Sequence, residues 1–120
     1  MTDRELLELA AKAAGIVGEW SDTYGSITVD DVRVLGFHLW NPLTDDGDAL
    51  RLAVSLDLCL TPYPVYARPK HSVCCAQRRE TPHDPDDRDL GDVIEHFGSD
   101  KHAATRRAIV RAAAAIGASK

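Results

Sequence analysis

The amino-acid sequence predicts an α+β fold in which a largely antiparallel sheet is layered with three helices, in the order α-β-β-α-β-β-β-α. Three segments, near residues 2–14, 44–56 and 100–116, carry the apolar spacing of amphipathic helices. Between them, short apolar runs alternate with turn-forming residues. Such short connections favour antiparallel pairing, because parallel neighbours need a long crossover. At 120 residues the chain suits a single domain, 1–120.

The first helix is predicted over Thr2 to Ala14. Thr2 and Glu5 have the spacing of a capping box, in which each side chain satisfies the other residue's free backbone amide. Gly15 can adopt the left-handed conformation that ends a helix. The apolar residues that share one arc of this helix are Leu6, Leu9, Ala10, Ala13 and Ala14.

The segment from Ile16 to Leu39 has the pattern of β-structure. A short strand over 16–20 is followed by a turn at 22–25. The stretch 27–34 then alternates around two adjacent aspartates, 30–31, which mark a further turn or bulge.

The second helix is predicted over 44–56. Pro42 suits its first turn, Thr44 or Asn41 can cap it, and three aspartates place negative charge at its positive end. The predicted buried arc is Ala49, Leu50, Leu52, Ala53, Val54 and Leu56, with Asp48, Arg51 and Ser55 in water. On this assignment, Leu50→Ala should cost about 2–5 kcal/mol.

Further strands are predicted in the second half of the chain, at 58–60, 65–66, 73–75 and 93–97. Prolines at 62, 64 and 69 lack a backbone donor, so this region suits a sheet edge. The polar, acidic segment 78–92 is predicted to be a mobile loop.

The last helix is predicted from Asp100 to Ile116, capped by Ser99 or Asp100 and ended by Gly117. Its apolar arc, rich in alanine, should pack closely against the sheet. The large residues expected to be mostly buried across the three helices are Leu6, Leu9, Leu50, Val54, Ile109 and Ile116.

Composition excludes several classes of protein. The formal charge of -5 argues against a general nucleic-acid binder, which has a basic balance. No apolar run approaches the roughly 18 residues that a membrane span needs. The first residues also lack the basic-then-apolar order of a secretory signal.

Three cysteines, two of them adjacent, make a poor disulfide framework. The simplest interpretation is reduced thiols in a reducing cytoplasm, with Cys59 packed as a small hydrophobe. On a strand, Cys74 and Cys75 point to opposite faces, so at most one should lie in the core.

The same region contains the only weak candidates for chemistry. His71 with Cys74 could form a thiol nucleophile, and adding Cys59 gives three potential zinc ligands. Their spacing matches no known signature, and the common phosphate-binding and hydrolase motifs are absent from the sequence. The sequence therefore predicts no catalytic residue and no cofactor, and it disfavours an enzyme.

Two stretches carry a resemblance to a known family. They are WNPLTDDGDALRLA at 40–53 and HAATRRAIVRAA at 102–113, and with the first helix they resemble the phage ABA sandwich domain family. The resemblance implies layers of helix, sheet and helix and a bacteriophage origin, hence the cytoplasm of an infected host. It implies no activity, because no catalytic residue set is established for such proteins.

The residues of both stretches can be explained by a role in folding, and we favour that role over the binding of a partner. Asp45, Asp46 and Asp48 stabilise a helix start, and a basic edge formed by Arg106, Arg107 and Arg111 could meet those acids or a partner. A weak nucleic-acid contact through this C-terminal helix stays open as an alternative.

The predicted function is a non-catalytic protein-binding module that acts on a host or phage protein. A small thiol- or zinc-dependent enzyme is the alternative from another class. The candidate interaction residues are Trp40, Tyr63, Tyr66, Arg107 and Arg111. A proline-bounded sheet edge with aromatic anchors predicts a twofold dimer, unless proline blunts that edge and the aromatics only cap the core.

Overall fold

A computed structural model describes residues 1–63, 71–77 and 93–120. Within these ranges the elements are α1 (Asp3–Ala14), β1 (Glu19–Ser21), β2 (Ser26–Asp31), β3 (Gly36–Trp40), α2 (Asp46–Ser55), β4 (Leu58–Pro62), β5 (Ser72–Gln77), β6 (Val93–His96) and α3 (Lys101–Ala118). The predicted α+β class with antiparallel strands is confirmed, with three strands instead of two before α2. The predictions of a strand at 65–66 and a loop at 78–92 lie outside the described residues.

The strands form two antiparallel sheets of three. Sheet A has the order β1-β2-β3 and sheet B the order β4-β5-β6. Ile27 of β2 lies opposite Trp40 of β3, and Leu60 of β4 lies opposite Cys75 of β5. Ile27, Trp40 and Cys75 belong to the core into which the helices pack, whereas Leu60, on the edge strand, is exposed.

The helix α3 lies at the centre of the packing. It contacts α1 along most of its length and also touches α2, β5 and β6. Ala108, Val110 and Ala113 are fully buried there, which leaves little space between the helix axes. The predicted burial of Leu6 and Ile109 is confirmed, whereas Leu9 and Ile116 are only partly buried.

Local signals set the helix ends in most places. Thr2 caps α1 by accepting the Glu5 backbone N–H, and Gly15 ends it at a φ of 71°. Asp100 caps α3. The prediction that Gly117 ends α3 is wrong, because the helix runs through Gly117 to Ala118. Gly117 is buried against the backbone of α1, where the Leu9 carbonyl takes the space that a side chain would need.

The predicted face of α2 is also wrong. Leu50 and Val54 are 63% and 69% exposed, and Asp48 is buried beside Ala49, Leu52 and Ala53. Asp48 turns inward because its carboxylate accepts the Asn41 backbone N–H at 2.9 Å and a guanidinium N–H from Arg51 at 2.7 Å.

The residues that cap α2 differ from the prediction as well. Asp45 is the cap, through its acceptance of the Asp48 backbone N–H, and neither Thr44 nor Asn41 has that position. The Asn41 side chain instead donates to the Gly25 carbonyl and to the Ser26 hydroxyl. Asn41 therefore fastens the start of α2 to sheet A.

The region between the first two helices differs in its turns. The predicted turn at 22–25 is confirmed, but β2 continues through Asp30 and Asp31. The second turn covers 32–35, because the Asp31 carboxylate accepts the Arg33 backbone N–H and starts the turn there. The residues after it form the additional strand, β3.

None of the helices in the described ranges combines the length and apolar character needed to cross a membrane.

Because α2 buries Leu52 and exposes Leu50, truncating these two leucines should have very different effects on stability. Leu52→Ala removes a buried side chain and should lower the free energy of unfolding by about 2–5 kcal/mol. Leu50→Ala, the control, should change it by less than about 0.5 kcal/mol. Urea denaturation of both variants checks this, and a larger loss for Leu50→Ala would contradict the helix face.

The close contact of α1 with α3 predicts that Gly117→Ala destabilises the protein. The new methyl group collides with the Leu9 carbonyl, so we expect a loss of about 1–3 kcal/mol despite the better helix propensity of alanine. Gly36→Ala is the control, since its methyl group would have no neighbour closer than 3.9 Å. Equal urea midpoints for the two variants would contradict the contact.

Candidate protein-interaction surface

The strand β3 lies at the edge of sheet A, with no strand on its other side within the described part of the chain. Side chains alternate along it, so Trp40 faces the core while Phe37 and Leu39 share the opposite, exposed face. The ring of Tyr24, from the turn before β2, lies 5.6 Å from the Phe37 ring. These three residues, Tyr24, Phe37 and Leu39, form the outer apolar cluster.

The turn between β2 and β3 adds a second group of exposed apolar side chains. Val32, Val34 and Leu35 are exposed, and Leu35 is 94% exposed. We call these three residues the hairpin tip. Single exposed apolar residues are common on folded proteins, but a contiguous exposed group such as this one can mark an interaction site.

Leu35 also holds an unfavourable backbone conformation. Its φ is 54°, in the left-handed region, which costs a residue with a Cβ about 1–2 kcal/mol. Glycine or asparagine would fit this position better. A strained and exposed leucine therefore points to a role outside the folding of the chain.

An ionic cluster fixes the hairpin tip to the strands. Asp31 accepts from the Arg33 guanidinium at 3.0 and 3.2 Å, and its second oxygen lies 3.1 Å from Nδ1 of His38. The side-chain and backbone hydrogen bonds from Arg33, helped by the one from His38, lower the pKa of Asp31 to about 2. The tip is thus held in one geometry although its side chains are exposed.

The three arginines of α3 lie in ion pairs. Arg106, largely buried, donates to the Leu43 carbonyl at 2.8 Å and to Asp46 at 2.7 Å, as the predicted contact with the acidic helix start requires. Arg111 pairs with Glu95 at 2.6 Å, and Arg107 approaches both Glu95 and Asp3. Carboxylates of the chain itself therefore compensate the arginines predicted to meet a partner.

The aromatic residues predicted as interaction sites differ in their exposure. Trp40 is buried in the core, so its indole is not presented on a surface. Tyr63 is half exposed at the end of the edge strand β4, with its ring near His71 and Phe97 and its hydroxyl accepting from Lys101. Tyr66 lies outside the described residues. The edge β4 ends on Pro62, which removes a donor for strand pairing.

The candidate zinc ligands do not converge. Cys59 lies opposite Ala76 and Cys74 opposite Thr61, and the described residues contain no group of three His, Cys, Asp or Glu side chains that could hold a metal ion. The prediction that Cys59 is packed inside is wrong. Cys59 is exposed because it lies on an edge strand and faces away from the α3 side, toward which Cys75 points. The prediction that at most one of Cys74 and Cys75 lies in the core is also wrong, since both are buried.

Comparison with protein-family models, with curated proteins and with solved structures finds no significant match for this chain. The function is therefore argued from the geometry of the chain.

The sequence analysis did not predict that the β2–β3 hairpin carries an exposed apolar surface. The signal that could have found it is the run Val32 to Leu35, where apolar residues directly follow two aspartates. Periodicity favours a strand for this run, but an aspartate also starts turns by accepting the backbone N–H two residues on, and a turn exposes the apolar residues within it.

The ionic cluster predicts how Asp31 affects acid stability. The folded state has the lower pKa, so its contribution to stability is present above the ordinary pKa of 3.8 and is lost as the pH falls toward about 2. The difference in the free energy of unfolding between the wild type and Asp31→Asn should therefore shrink over this range.

Urea denaturation at a series of pH values from neutral to about 2 measures that difference. Arg33→Gln serves as the second variant, because it removes the main cause of the lowered pKa and should flatten the same part of the profile. A difference between the wild type and Asp31→Asn that does not change with pH would contradict the assignment.

Proposed function

We propose that the chain is a non-catalytic protein-binding module whose binding surface is the edge of β3 with the outer apolar cluster and the hairpin tip. The observation that carries the proposal is an open strand edge flanked by exposed apolar side chains, one of them on a strained backbone. Such an edge binds another strand by main-chain hydrogen bonds, and apolar side chains beside it add affinity.

The edge of β3 lacks the features that normally prevent strand pairing. Its sequence, GFHLW, contains no proline and no lysine, and its register with β2 is continuous over all five residues. Proline, lysine and bulges are the usual means of blocking an edge. By contrast, β4 ends on Pro62, so the predicted dimer is better supported at β3 than at the proline-bounded edge.

The occupant that we propose is a second copy of the chain. Antiparallel pairing of β3 with β3 about a twofold axis at His38 places Phe37 opposite Leu39 of the partner subunit. Aromatic and aliphatic side chains then meet across the strands, which stabilises a sheet. The strand β3 contains no aspartate, glutamate, lysine or arginine, so none of these charges is brought together by this pairing.

The biological setting of the proposal comes from the sequence resemblance alone. It supports a bacteriophage accessory protein of the phage ABA sandwich kind, acting in the host cytoplasm on a host or phage protein. The formal charge of -5 favours a basic site on such a partner. The paired arginines of α3 leave little free positive charge for a nucleic acid, and the described cysteines give no support to a thiol- or zinc-dependent enzyme.

The proposal predicts a dimer that a single charge on β3 disrupts. Light scattering after size-exclusion chromatography at tens of micromolar should give twice the 13.1 kDa of one chain. Leu39→Lys should give the monomer mass, because a lysine would then face an apolar partner strand. Leu50→Lys is the matched control, since Leu50 is also an exposed leucine but lies on α2.

A further variant separates binding from folding. Leu35→Asn should keep or raise the free energy of unfolding, because asparagine tolerates the left-handed conformation, and it should weaken the dimer by removing an apolar contact. A wild-type mass of one chain at every concentration would refute the dimer, and so would a monomer produced equally by Leu50→Lys.

A further inference from the structure

A cavity of about 540 Å³ lies between the β2–β3 hairpin and α2. Its apolar lining comes from Ile16, Trp40 and Leu52 together with Ala14. Its polar lining consists of Arg33, His38, Asp48, Arg51 and Ser55. The volume is within the range of sites that hold small organic ligands. A single chain builds this cavity, and two of the residues that line it, His38 and Trp40, belong to β3.

Two carboxylates hold the two guanidinium groups of this cavity from behind. Asp31 binds Arg33, and Asp48 binds Arg51 at 2.7 Å. The carboxylate side chains are only 9% exposed, whereas those of Arg33 and Arg51 are 82% and 73% exposed. A molecule that enters the cavity therefore meets guanidinium N–H donors. Asp48 also lines the cavity, and its two carboxylate oxygens accept from Arg51 and from the Asn41 backbone N–H.

The positions of these carboxylates are themselves fixed. Asp48 accepts the Asn41 backbone N–H with its other oxygen, and Asp31 accepts the Arg33 backbone N–H. The guanidinium groups are thus oriented before any ligand arrives, which lowers the entropy cost of binding. One comes from the hairpin and the other from α2, so a shared ligand would bridge the two elements.

We propose that this cavity binds a small organic monocarboxylate with a flat apolar body. The body would lie against Trp40 and Leu52, and the carboxylate would accept from Arg33 and Arg51, whose planar donors match its two oxygens. Because Asp31 and Asp48 already balance the charge of the two arginines, a single negative charge suits the site better than a multiply charged phosphate.

Titration with 2-naphthoate, followed by amide chemical shifts in NMR spectra of the ¹⁵N-labelled chain, tests the proposal. We expect saturable shifts at Arg33, His38 and Trp40 and in the second half of α2. Two matched probes serve as controls. The neutral analogue 2-naphthylmethanol lacks the carboxylate, and inorganic phosphate lacks the apolar body. Each should bind at least about tenfold more weakly than 2-naphthoate, as expected for losing a charge-assisted contact or the apolar contact.

Variants of the arginines locate the binding. Arg33→Gln and Arg51→Gln should each weaken 2-naphthoate binding about tenfold. Arg51→Lys keeps the charge beside Asp48, so it tests the planar donor if Arg51→Gln fails to fold, and it should also weaken binding. Arg4→Gln, which removes an exposed arginine paired with Glu8 on α1, is the control and should leave the affinity unchanged.

Three results would overturn the proposal. They are no saturable shift with 2-naphthoate, equal affinity for the neutral analogue or for phosphate, and unchanged affinity in both Arg33→Gln and Arg51→Lys. The monomeric variant Leu39→Lys should bind 2-naphthoate like the wild type, so failure of the dimer and failure of the cavity site are distinguishable.

Discussion

The contact between α1 and α3 is the constraint on which the rest of the structure depends. At Gly117 the two helices approach so closely that a glycine hydrogen meets the Leu9 carbonyl, and alanines fill the interface on either side. The position of α3 then decides where α2, β5 and β6 lie, because each of them packs on it. Much of the apolar surface of the fold is buried around this one helix.

Sheet A is attached to this centre at one end. Ile27 and Trp40 are buried where β2 and β3 approach the helices, and Asn41 fastens the same end to α2. At the other end the strands continue beyond the core into the hairpin tip. The fold therefore holds the hairpin in place without covering its apolar side chains, which is the arrangement that a strand-pairing surface needs.

The hairpin and the cavity share residues. Arg33 and His38 bind Asp31, which fixes the turn, and the same two side chains line the cavity behind β3. A ligand in the cavity would thus touch the base of the proposed strand-pairing surface. The two proposals still concern opposite faces of β3, since the outer apolar cluster points away from the side of Trp40.

Most of the local interactions could be predicted from the sequence, whereas most interactions between distant residues could not, the contact of Arg106 with Asp46 being an exception. The ends of α1 and the cap of α3 depend on residues within one turn, as Thr2, Gly15 and Asp100 show. The face of α2 depends on Asp48 accepting the backbone N–H of residue 41, outside the helix, so its apolar arc alone gave the wrong rotation. A glycine at position 117 is typical of a helix end. In the structure it instead makes room for the backbone of α1, which comes more than a hundred residues earlier in the chain.

In the candidate site, too, the features that depend on tertiary packing could not be predicted from the sequence. The sequence indicated aromatic and basic residues as contacts, but tertiary packing buries Trp40, and Glu95 engages Arg107 and Arg111. The edge position of β3 depends on how whole strands pair, and the sequence of one strand does not predict that order. The exposed apolar turn was present in the sequence, although its periodicity resembles that of a strand.

We infer that the α1–α3 contact holds the fold while the edge of β3 is left for a partner strand. Amide hydrogen exchange, measured in dilute and in concentrated solution, distinguishes these two regions. We expect the amides of α3 to exchange slowest at both concentrations. Those amides of β3 that do not pair with β2 should exchange fast in dilute solution and slowly in concentrated solution. Equal exchange of the β3 amides at both concentrations, or faster exchange in α3 than in β3, would contradict it.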